Sequence, residues 1–421
     1  MGKNNTIITA VDIGTSCIRV LIGEADALSD NINIVGYSEK SSDGVIKGEI
    51  SDMIKVTGIL NEAVKDAEKV SDYIIAPETL YVAVTGNHIT SKDGAGTVMI
   101  DMEDHIVALP HVNEALKSAK GLLTPPESTI INTIDGYFII DGAHHVNDPI
   151  GQTASKLEAR SHIIYANSNR LENFQNTIKD IGFESSIPVF SGLASALSVL
   201  TSDDFEHGTL TINMGAGTTE YMLFNNYIAK ESNVITIGCD HLINDLYLGL
   251  DIGLSTAKDI ITNNIVNTRK SEGHSTIELK GALETRHIPI ATVEKIIEMR
   301  LNETFEIIHS NLKKHKFNSL LNNGIVLCGG AANITGIKEI ISSIFETPVR
   351  IGKPIDISGP DILLNSPGFL TALGLLRYGA LELQPKKYST PSTIIRKLDQ
   401  KLWSIWRKTW KAVINDTNNE R

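Results

Sequence analysis

The sequence predicts an α/β protein of two or more domains, and three observations lead to this prediction. The chain has 421 residues, which is too long for one ordinary hydrophobic core. A strand–turn–strand plan near the start, IITAVDIGTSCIRVLIGE, recurs near the middle as GTLTINMGAGTTEYMLFNN. A third glycine turn separates an apolar strand from the start of a helix in NGIVLCGGAANITGIKEII.

The composition is that of a soluble, globular protein with an acidic body. Apolar residues make up 42% and charged residues 21% of the chain, and the net charge is −12. Residues 392–411 hold six basic side chains and one acidic one, a net +5, which leaves −17 for the rest. Nucleic-acid binding needs a broad basic surface, so we expect no nucleic-acid partner.

The chain also lacks the marks of a membrane-spanning or secreted protein. No run of about 18 apolar residues occurs, and the N-terminus has no apolar signal stretch. Cys17, Cys239 and Cys328 are scattered without metal-ligand spacing. We therefore expect a protein of the reducing cytosol.

The two repeated turns carry residue types that hold phosphate groups. Glycines let backbone N–H groups approach phosphate oxygens, hydroxyls add donors, and an acid holds Mg²⁺ through water. A glycine turn between strands is also an ordinary β-hairpin, so either turn alone leaves both interpretations open. The candidate residues are Asp12, Gly14, Thr15, Ser16, Asn213, Gly215, Gly217, Thr218 and Thr219.

The third turn suits an adenosine. Its small residues let a flat ring lie against the backbone, and it contains no Lys or Arg for a phosphate. The candidate residues are Gly329, Gly330, Ala331 and Asn333. The order phosphate, phosphate, adenosine resembles the actin, hexokinase and DnaK-type chaperone superfamily, in which two duplicated α/β halves close on ATP. Walker A and G-x-G-x-x-G loops are absent.

Several further segments resemble one branch, the FtsA family of actin-like membrane tethers in bacterial cell division. The resemblance covers about residues 6–380 and the tail. The segments are GVIKGEISD (44–52), YVAVTGNHITS (81–91), NDPIGQTASKLEARSHIIYA (147–166), ITIGCDHLINDLYLGL (235–250) and SPGFLTALGLLRYG (366–379).

This resemblance implies an actin-like fold: duplicated ribonuclease-H-type halves around a nucleotide cleft, a small α/β domain inserted in the first half, and a C-terminal amphipathic helix. From sequence alone, the insertion is equally compatible with a decorated loop region, and DGAGT (93–97) is a turn signal in it. The expected divisions are 1–83 with 164–200, the insertion 84–163, 201–233 with 305–385, a small domain 234–304, and a linker and helix 386–421.

The nucleotide motifs depart from the family at several positions. The family's second turn reads D-x-G-G-G-T-T/M-D, and Asn213 stands at its first acid. The usual A-E-x-x-K helix pattern is Ala257–Ile261 here, with Lys258 in place of the acid. The resemblance still implies ATP or ADP binding, with Mg²⁺ held by Asp12 through water and further contacts from Gly238 and Lys258. We expect at most a weak ATPase.

No residue is assigned to catalysis from the sequence. Ser191, Ala194 and Ser195 lie in SGLASALSVL, and none is a plausible base at neutral pH. We expect this segment to be a helix that packs on the sheet.

The resemblance implies several partners. Arg300 and Glu303, in the helix expected over 291–316, match positions that receive the C-terminal peptide of the tubulin-like protein FtsZ. An exposed i,i+3 ion pair is the alternative interpretation. The resemblance also implies self-association into filaments and contacts of the insertion with later division proteins.

The tail forms a basic amphipathic helix if it is helical, with tryptophans and aliphatic residues on one side. Such a helix lies in the membrane interface, where each basic residue contributes about 1 kcal/mol beside anionic lipid. We therefore expect a peripheral protein on the cytoplasmic face of the inner membrane, at the division site. A core-packing helix or a calmodulin-type target helix are alternatives. The membrane residues are Ile394, Ile395, Leu398, Leu402, Trp403, Ile405, Trp406 and Trp410, with Arg396, Lys397, Lys401, Arg407 and Lys408.

Two other functions fit parts of the pattern. A small-molecule kinase or phosphatase of the same superfamily needs a carboxylate base in the cleft and has no use for a basic, Trp-rich tail. A pilus-assembly actin homologue should lack the tail and bind a different peptide.

Removal of the tail should abolish lipid binding. In flotation with anionic vesicles, we expect the full chain to rise with the lipid and a chain that ends at Lys387 to stay behind. Neutral vesicles serve as the control, because the basic residues contribute only beside anionic lipid. Equal flotation of the two chains, or none by either, would contradict the membrane role.

Overall fold

The computed structural model describes residues 5–26, 31–75, 80–100, 105–121, 125–280, 285–313 and 317–383. The tail and all its expected membrane residues lie outside these ranges. Within them, no helix combines the length and apolar character that crossing a bilayer requires.

The first part of the chain holds one sheet of the core and the inserted domain. In chain order its elements are β1 (Asn5–Ile13), β2 (Cys17–Asp26), β3 (Ile32–Ser41), β4 (Val45–Ile46), β5 (Glu49–Ile50), α1 (Met53–Ser71), β6 (Leu80–Val84), β7 (Ile89–Met99), α2 (Leu109–Gly121), β8 (Ser128–Ile140), β9 (His144–Val146), β10 (Lys156–Asn167), α3 (Ser168–Asp180), β11 (Ile187–Phe190) and α4 (Ser191–Val199).

The second part holds the other core sheet and a small helical domain. Its elements are α5 (Ser202–His207), β12 (Thr209–Met214), β13 (Thr219–Asn225), β14 (Ile228–Ile235), α6 (Cys239–Leu250), α7 (Leu254–Thr262), α8 (Ile265–Ser271), β15 (Thr276–Lys280), β16 (Thr285–Pro289), α9 (Ile290–Leu312), β17 (Ile325–Cys328), α10 (Ile337–Phe345), β18 (Val349–Ile351), β19 (Ile357–Ser358), α11 (Asp361–Leu364) and α12 (Leu370–Leu383).

The two core sheets repeat one topology. The first has the order β11-β6-β1-β2-β3, and the second has the order β18-β17-β12-β13-β14. In each sheet, the first three strands along the chain pair antiparallel with one another, and the next two strands are added in parallel. The predicted duplication of an α/β unit is confirmed. The short strand β19, late in the chain, adds to β3 and so ties the second part back to the first sheet.

The core sheets and their helices form five layers. Helices α1 and α3 cover the outer face of the first sheet, and α6, α9 and α10 cover the outer face of the second. Helices α4 and α12 fill the space between the sheets in one apolar cluster. A helix between two sheets must be apolar or small all round, and every residue of α4 is buried.

The contact between α4 and α12 is a close approach of backbones. A methyl group on Gly374 of α12 would fall inside the van der Waals surface of the Ala194 carbonyl. The hydroxyls of Ser195 and Ser198 donate to helix carbonyls at 2.6 and 2.7 Å, so α4 buries them without unpaired groups.

The inserted domain is a four-stranded sheet of order β7-β10-β8-β9 with α2 on one face. The sequence DGAGT, expected as a turn, instead lies inside β7. Gly94 and Gly96 occur there because α2 crosses the strand too closely for a Cβ, against the backbones of Ala115 and Ala119.

The inserted domain also contacts the second core sheet at β14. Ser91 Oγ donates to the Ser232 carbonyl at 2.7 Å, and His162 Nε2 lies 2.8 Å from Ser232 Oγ. The other ring nitrogen of His162 lies 2.7 Å from an oxygen of Asp93. The insertion therefore touches both halves of the core.

Gly374→Ala should destabilise the chain by about 3 kcal/mol, because its methyl group overlaps the Ala194 carbonyl between the sheets. Thermal unfolding followed by circular dichroism measures the effect. Gly58→Ala is the matched control, since Gly58 lies in helix α1 with no atom within 4 Å of an added Cβ. Helix propensity predicts a gain of up to about 1 kcal/mol for that control. Similar melting temperatures for the two variants would refute the close contact.

Candidate functional site

A cleft of about 630 Å³ opens between the two halves. Twelve of the residues predicted to bind nucleotide line it: eleven come from the three glycine turns, and Lys258 comes from α7. They are Asp12, Gly14, Thr15, Ser16, Asn213, Gly215, Gly217, Thr218, Lys258, Gly329, Gly330 and Asn333.

Three other predicted residues lie behind this lining. The hydroxyl of Thr219 donates to the Ile237 carbonyl at 2.7 Å, and Ala331 is 1% exposed. Gly238 packs on the backbone of Ala216, which leaves no room for a side chain. These residues shape the walls of the cleft and do not face its space.

The first two turns approach each other across the cleft. A Cβ on Gly217 would lie 2.5 Å from Thr15 Oγ1 and 2.8 Å from the Cα of Lys47. The N–H of Gly48 donates to Thr15 Oγ1 at 3.1 Å. The turn between β4 and β5, at residues 47–48, therefore contacts both glycine turns. Its second position favours glycine because Gly48 has a φ of +78°.

A buried carboxylate that the sequence analysis did not single out lies at the deep end of the cleft. Glu220 is 2% exposed and lines the cleft. It accepts hydrogen bonds from Thr85 Oγ1 in the first half, from Thr218 Oγ1 at 2.6 Å and from Asn213 Nδ2 at 2.8 Å. Burial is the main cause that raises the pKa of Glu220, and the nearby Asp12 adds to it.

The amide of Asn213 links this carboxylate to the helices between the sheets. Asn213 Nδ2 also lies 3.3 Å from Thr371 Oγ1 of α12, which in turn lies 3.3 Å from Ser195 Oγ of α4. Ser191, at the start of α4, lines the cleft as well. The expectation that this helix only packs on the sheet is therefore incomplete, because its first residue reaches the site.

Asp12 shares its side of the cleft with a cation. Arg19 Nη1 lies 3.7 Å from Asp12 Oδ2, and Arg19 Nε lies 2.6 Å from Glu39 Oε2. The guanidinium also lies over the Phe369 ring, 4.9 Å from its centroid. Burial raises the pKa of Asp12, and Arg19 partly offsets that rise.

The carboxylates fit a cation that arrives with a nucleotide, and they do not form a metal site made by protein alone. Within the described ranges, no group of three or more His, Cys, Asp or Glu side chains could hold a metal. Mg²⁺ bound to phosphates needs only one or two carboxylates and keeps several waters. Asp12 and Glu220 could supply these, one from each half.

The side of the cleft that is predicted to bind adenosine is built by the second half. Ile243, Leu254 and Ile261 give it apolar walls beside the small residues of the third turn. Lys258 also lies on this side. Burial raises the pKa of Asp240, and the positive charge of Lys258 partly offsets that rise.

Arg300 and Glu303 lie on α9, outside the cleft lining. The guanidinium of Arg300 donates to both oxygens of Asp245, at 2.5 and 3.0 Å, and to Glu303 Oε2 at 2.5 Å. The side chain of Glu303 is 58% exposed, whereas that of Asp245 is 25% exposed. The ion pair is therefore present, and its outer member, Glu303, is accessible to solvent.

Comparisons with known proteins agree on one family. A model described as "Cell division protein FtsA" matches residues 210–374, and one described as "SHS2 domain inserted in FTSA" matches residues 86–165. The cell division protein FtsA of Neisseria meningitidis serogroup B is 34% identical over 380 residues, which are 89% of this chain and 91% of that protein.

Two solved structures share the fold at low sequence identity. A PilM–PilN type IV pilus biogenesis complex superposes with a TM-score of 0.59 at 13% identity, over 89% of this chain and 98% of that one. MreB5 of Spiroplasma citri bound to ADP gives 0.51 at 13% identity, over 90% and 96%. The predicted actin-like architecture and inserted domain are confirmed.

Asn213→Asp should destabilise the protein in a pH-dependent way. It replaces the donor to Glu220 with a second carboxylate 2.8 Å away, which would raise the pKa of the pair further. The folded state then binds more protons than the unfolded state, so stability falls as pH rises. Scanning calorimetry should show a lower melting temperature than wild type at pH 8 and little difference near pH 5.

The double variant Asn213→Asp/Glu220→Gln restores one carboxylate and one amide and should recover most of the loss. A deficit that is the same at both pH values, or that the double variant does not relieve, would show that charge repulsion is not its cause.

Proposed function

We propose a function for this protein from one premise: the chain belongs to the FtsA family of cell division proteins. It binds ATP or ADP in the cleft between its halves, polymerises, and tethers the FtsZ ring to the inner face of the cytoplasmic membrane. The C-terminal segment is the membrane anchor in this proposal, and the protein acts at the division site.

The observation that carries nucleotide binding is the apposition of the two glycine turns. One turn comes from each half, they meet at Gly217 and Thr15, and a third, small-residue turn lies on the same cleft. Glycine turns with hydroxyl donors are suited to phosphate oxygens. Support also comes from the fold, which MreB5 of Spiroplasma citri shares in a form bound to ADP.

Hydrolysis is weak at most in this proposal. Asn213 supplies no negative charge for a water held by Mg²⁺. Glu220 is the remaining carboxylate of the second turn, and three donors already engage it. A base must be free to accept a proton from the attacking water, so this site favours bound nucleotide over rapid turnover. The nucleotide then acts as a switch for polymerisation.

The partners follow from the family and from the tail. Anionic lipid binds the basic amphipathic segment weakly, and polymerisation combines many weak anchors into a firm one. The FtsZ C-terminal peptide binds the small domain of the second half at the Arg300–Glu303 pair, where its acidic groups replace Glu303 as the partner of Arg300. The inserted domain contacts later division proteins.

Calorimetric titration of the full chain with ATP, with and without Mg²⁺, tests the nucleotide part directly. We expect saturable binding that Mg²⁺ strengthens, because Asp12 and Glu220 could hold the ion beside the phosphates. Absence of binding under both conditions would remove the nucleotide from the proposal and leave the tethering role to be tested separately.

The FtsZ peptide should compete with Glu303 for Arg300. Glu303→Gln leaves one face of the guanidinium open and should raise the affinity for an acidic FtsZ C-terminal peptide about twofold to fivefold. Arg300→Ala should lower it by about tenfold or more, because a charged hydrogen bond contributes about 1.5–3 kcal/mol. Fluorescence anisotropy with a labelled peptide measures both.

Lys295→Ala is the matched control. Lys295 forms an i,i+3 pair with Glu298 on the same helix at 3.2 Å, and its loss should leave peptide affinity unchanged. Unaltered binding by Arg300→Ala, or the same loss in the control, would exclude Arg300 as the peptide contact.

A further inference from the structure

Two hydroxyls of the cleft lining, Ser42 Oγ and Ser191 Oγ, lack a partner within the described residues, and Ser191 is the more deeply buried residue of the two. Ser191 is the first residue of α4, is 4% exposed and lines the cleft. Its Oγ makes no hydrogen bond within the part of the chain that the structure describes. An unsatisfied buried hydroxyl costs about 1–3 kcal/mol, and native proteins leave few of them. This one indicates a ligand group that completes it.

The hydroxyl lies at an open helix terminus. Helix α4 has nine residues, and no side chain caps its N-terminus. Such a terminus presents free N–H groups and a partial positive charge, which together attract anions. The other serine hydroxyls of this helix, Ser195 and Ser198, donate to helix carbonyls, so Ser191 alone is left for the cleft.

The neighbours of Ser191 leave it available. Glu220 lies close to the start of the helix, since a Cβ on Gly192 would be 3.2 Å from Glu220 Cβ. Its oxygens, however, already accept from Thr85, Thr218 and Asn213.

The position within the cleft indicates which anion. The adenosine side is built by the second half, and the two glycine turns flank the middle of the cleft. Ser191 follows β11 of the first half and is among the most buried residues of the lining. A phosphate chain that starts at the adenosine side and passes between the turns extends toward this point with its last group.

We propose that Ser191 Oγ and the first turn of α4 bind the terminal phosphoryl group of a nucleoside triphosphate. This contact lets the cleft distinguish a triphosphate from a diphosphate. The inference rests on the proposed nucleotide binding and adds to it the group that contacts the third phosphate.

Calorimetric titration of the full chain with ADP and with the non-hydrolysable triphosphate AMPPNP, both with Mg²⁺, tests this contact. Ser191→Ala should weaken AMPPNP binding by about tenfold and leave ADP binding within about twofold of wild type. Ser198→Ala removes a buried hydroxyl of the same helix that does not line the cleft, and it should change neither affinity.

Ser191→Asp provides a second variant that does not depend on tolerance of the alanine. The negative charge repels a phosphate, so we expect no preference for AMPPNP over ADP. Because Glu220 lies close to the start of α4, we also expect a lower melting temperature than wild type at pH 8. Thermal unfolding of each variant verifies its folding.

The outcomes separate the two proposals. Equal weakening of both nucleotides by Ser191→Ala, or no change in either, overturns the contact with the terminal phosphate. Wild type that binds ADP and AMPPNP equally well overturns it too, while nucleotide binding itself stands. Wild type that binds neither nucleotide defeats the proposed function, and this inference with it.

Discussion

The packing of α4 against α12 between the two sheets is the constraint on which the rest of the molecule depends. The two helices meet at backbone distance, at Gly374 and Ala194, and they contribute apolar side chains to both sheets. They also deliver Ser191 and Thr371 to the deep end of the cleft. Helices α4 and α12 thus join the two halves and also line the site. The contact between them therefore sets both the spacing of the sheets and the geometry of the site.

The second glycine turn places an amide beside a buried carboxylate. Asn213 and Glu220, seven residues apart, pair across β12 and β13. The amide donates to the carboxylate, and so do the hydroxyls of Thr218 and of Thr85, which comes from the other half. The carboxylate is therefore buried, and three donors hold its oxygens in place.

The sequence was sufficient for features that are local in the chain. Strand–turn–strand plans, small-residue turns and their order predicted the repeated unit and eleven of the predicted residues that line the cleft, and the family resemblance added Lys258. It was insufficient where partners are distant along the chain. Thr85 and Glu220 are 135 residues apart, and Asn213 and Thr371 are 158 apart, so no local pattern brings them together. The sequence did hold one indication of Glu220: it is the only acidic residue in the strand TEYMLFN, every residue of which is buried. DGAGT was misread because a glycine needed for helix crossing looks like a glycine needed for a turn.

The contact of the inserted domain with β14 has a mechanical consequence. The insertion is covalently part of the first half, yet Ser91 and His162 hold it to Ser232 of the second. Strand β14 pairs with β13, which begins beside the cleft at Thr219 and Glu220. A hinge motion that separates the halves must therefore either break these hydrogen bonds or move the insertion together with the second half. The insertion bridges the two halves, so the width of the cleft and the orientation of the insertion are mechanically coupled.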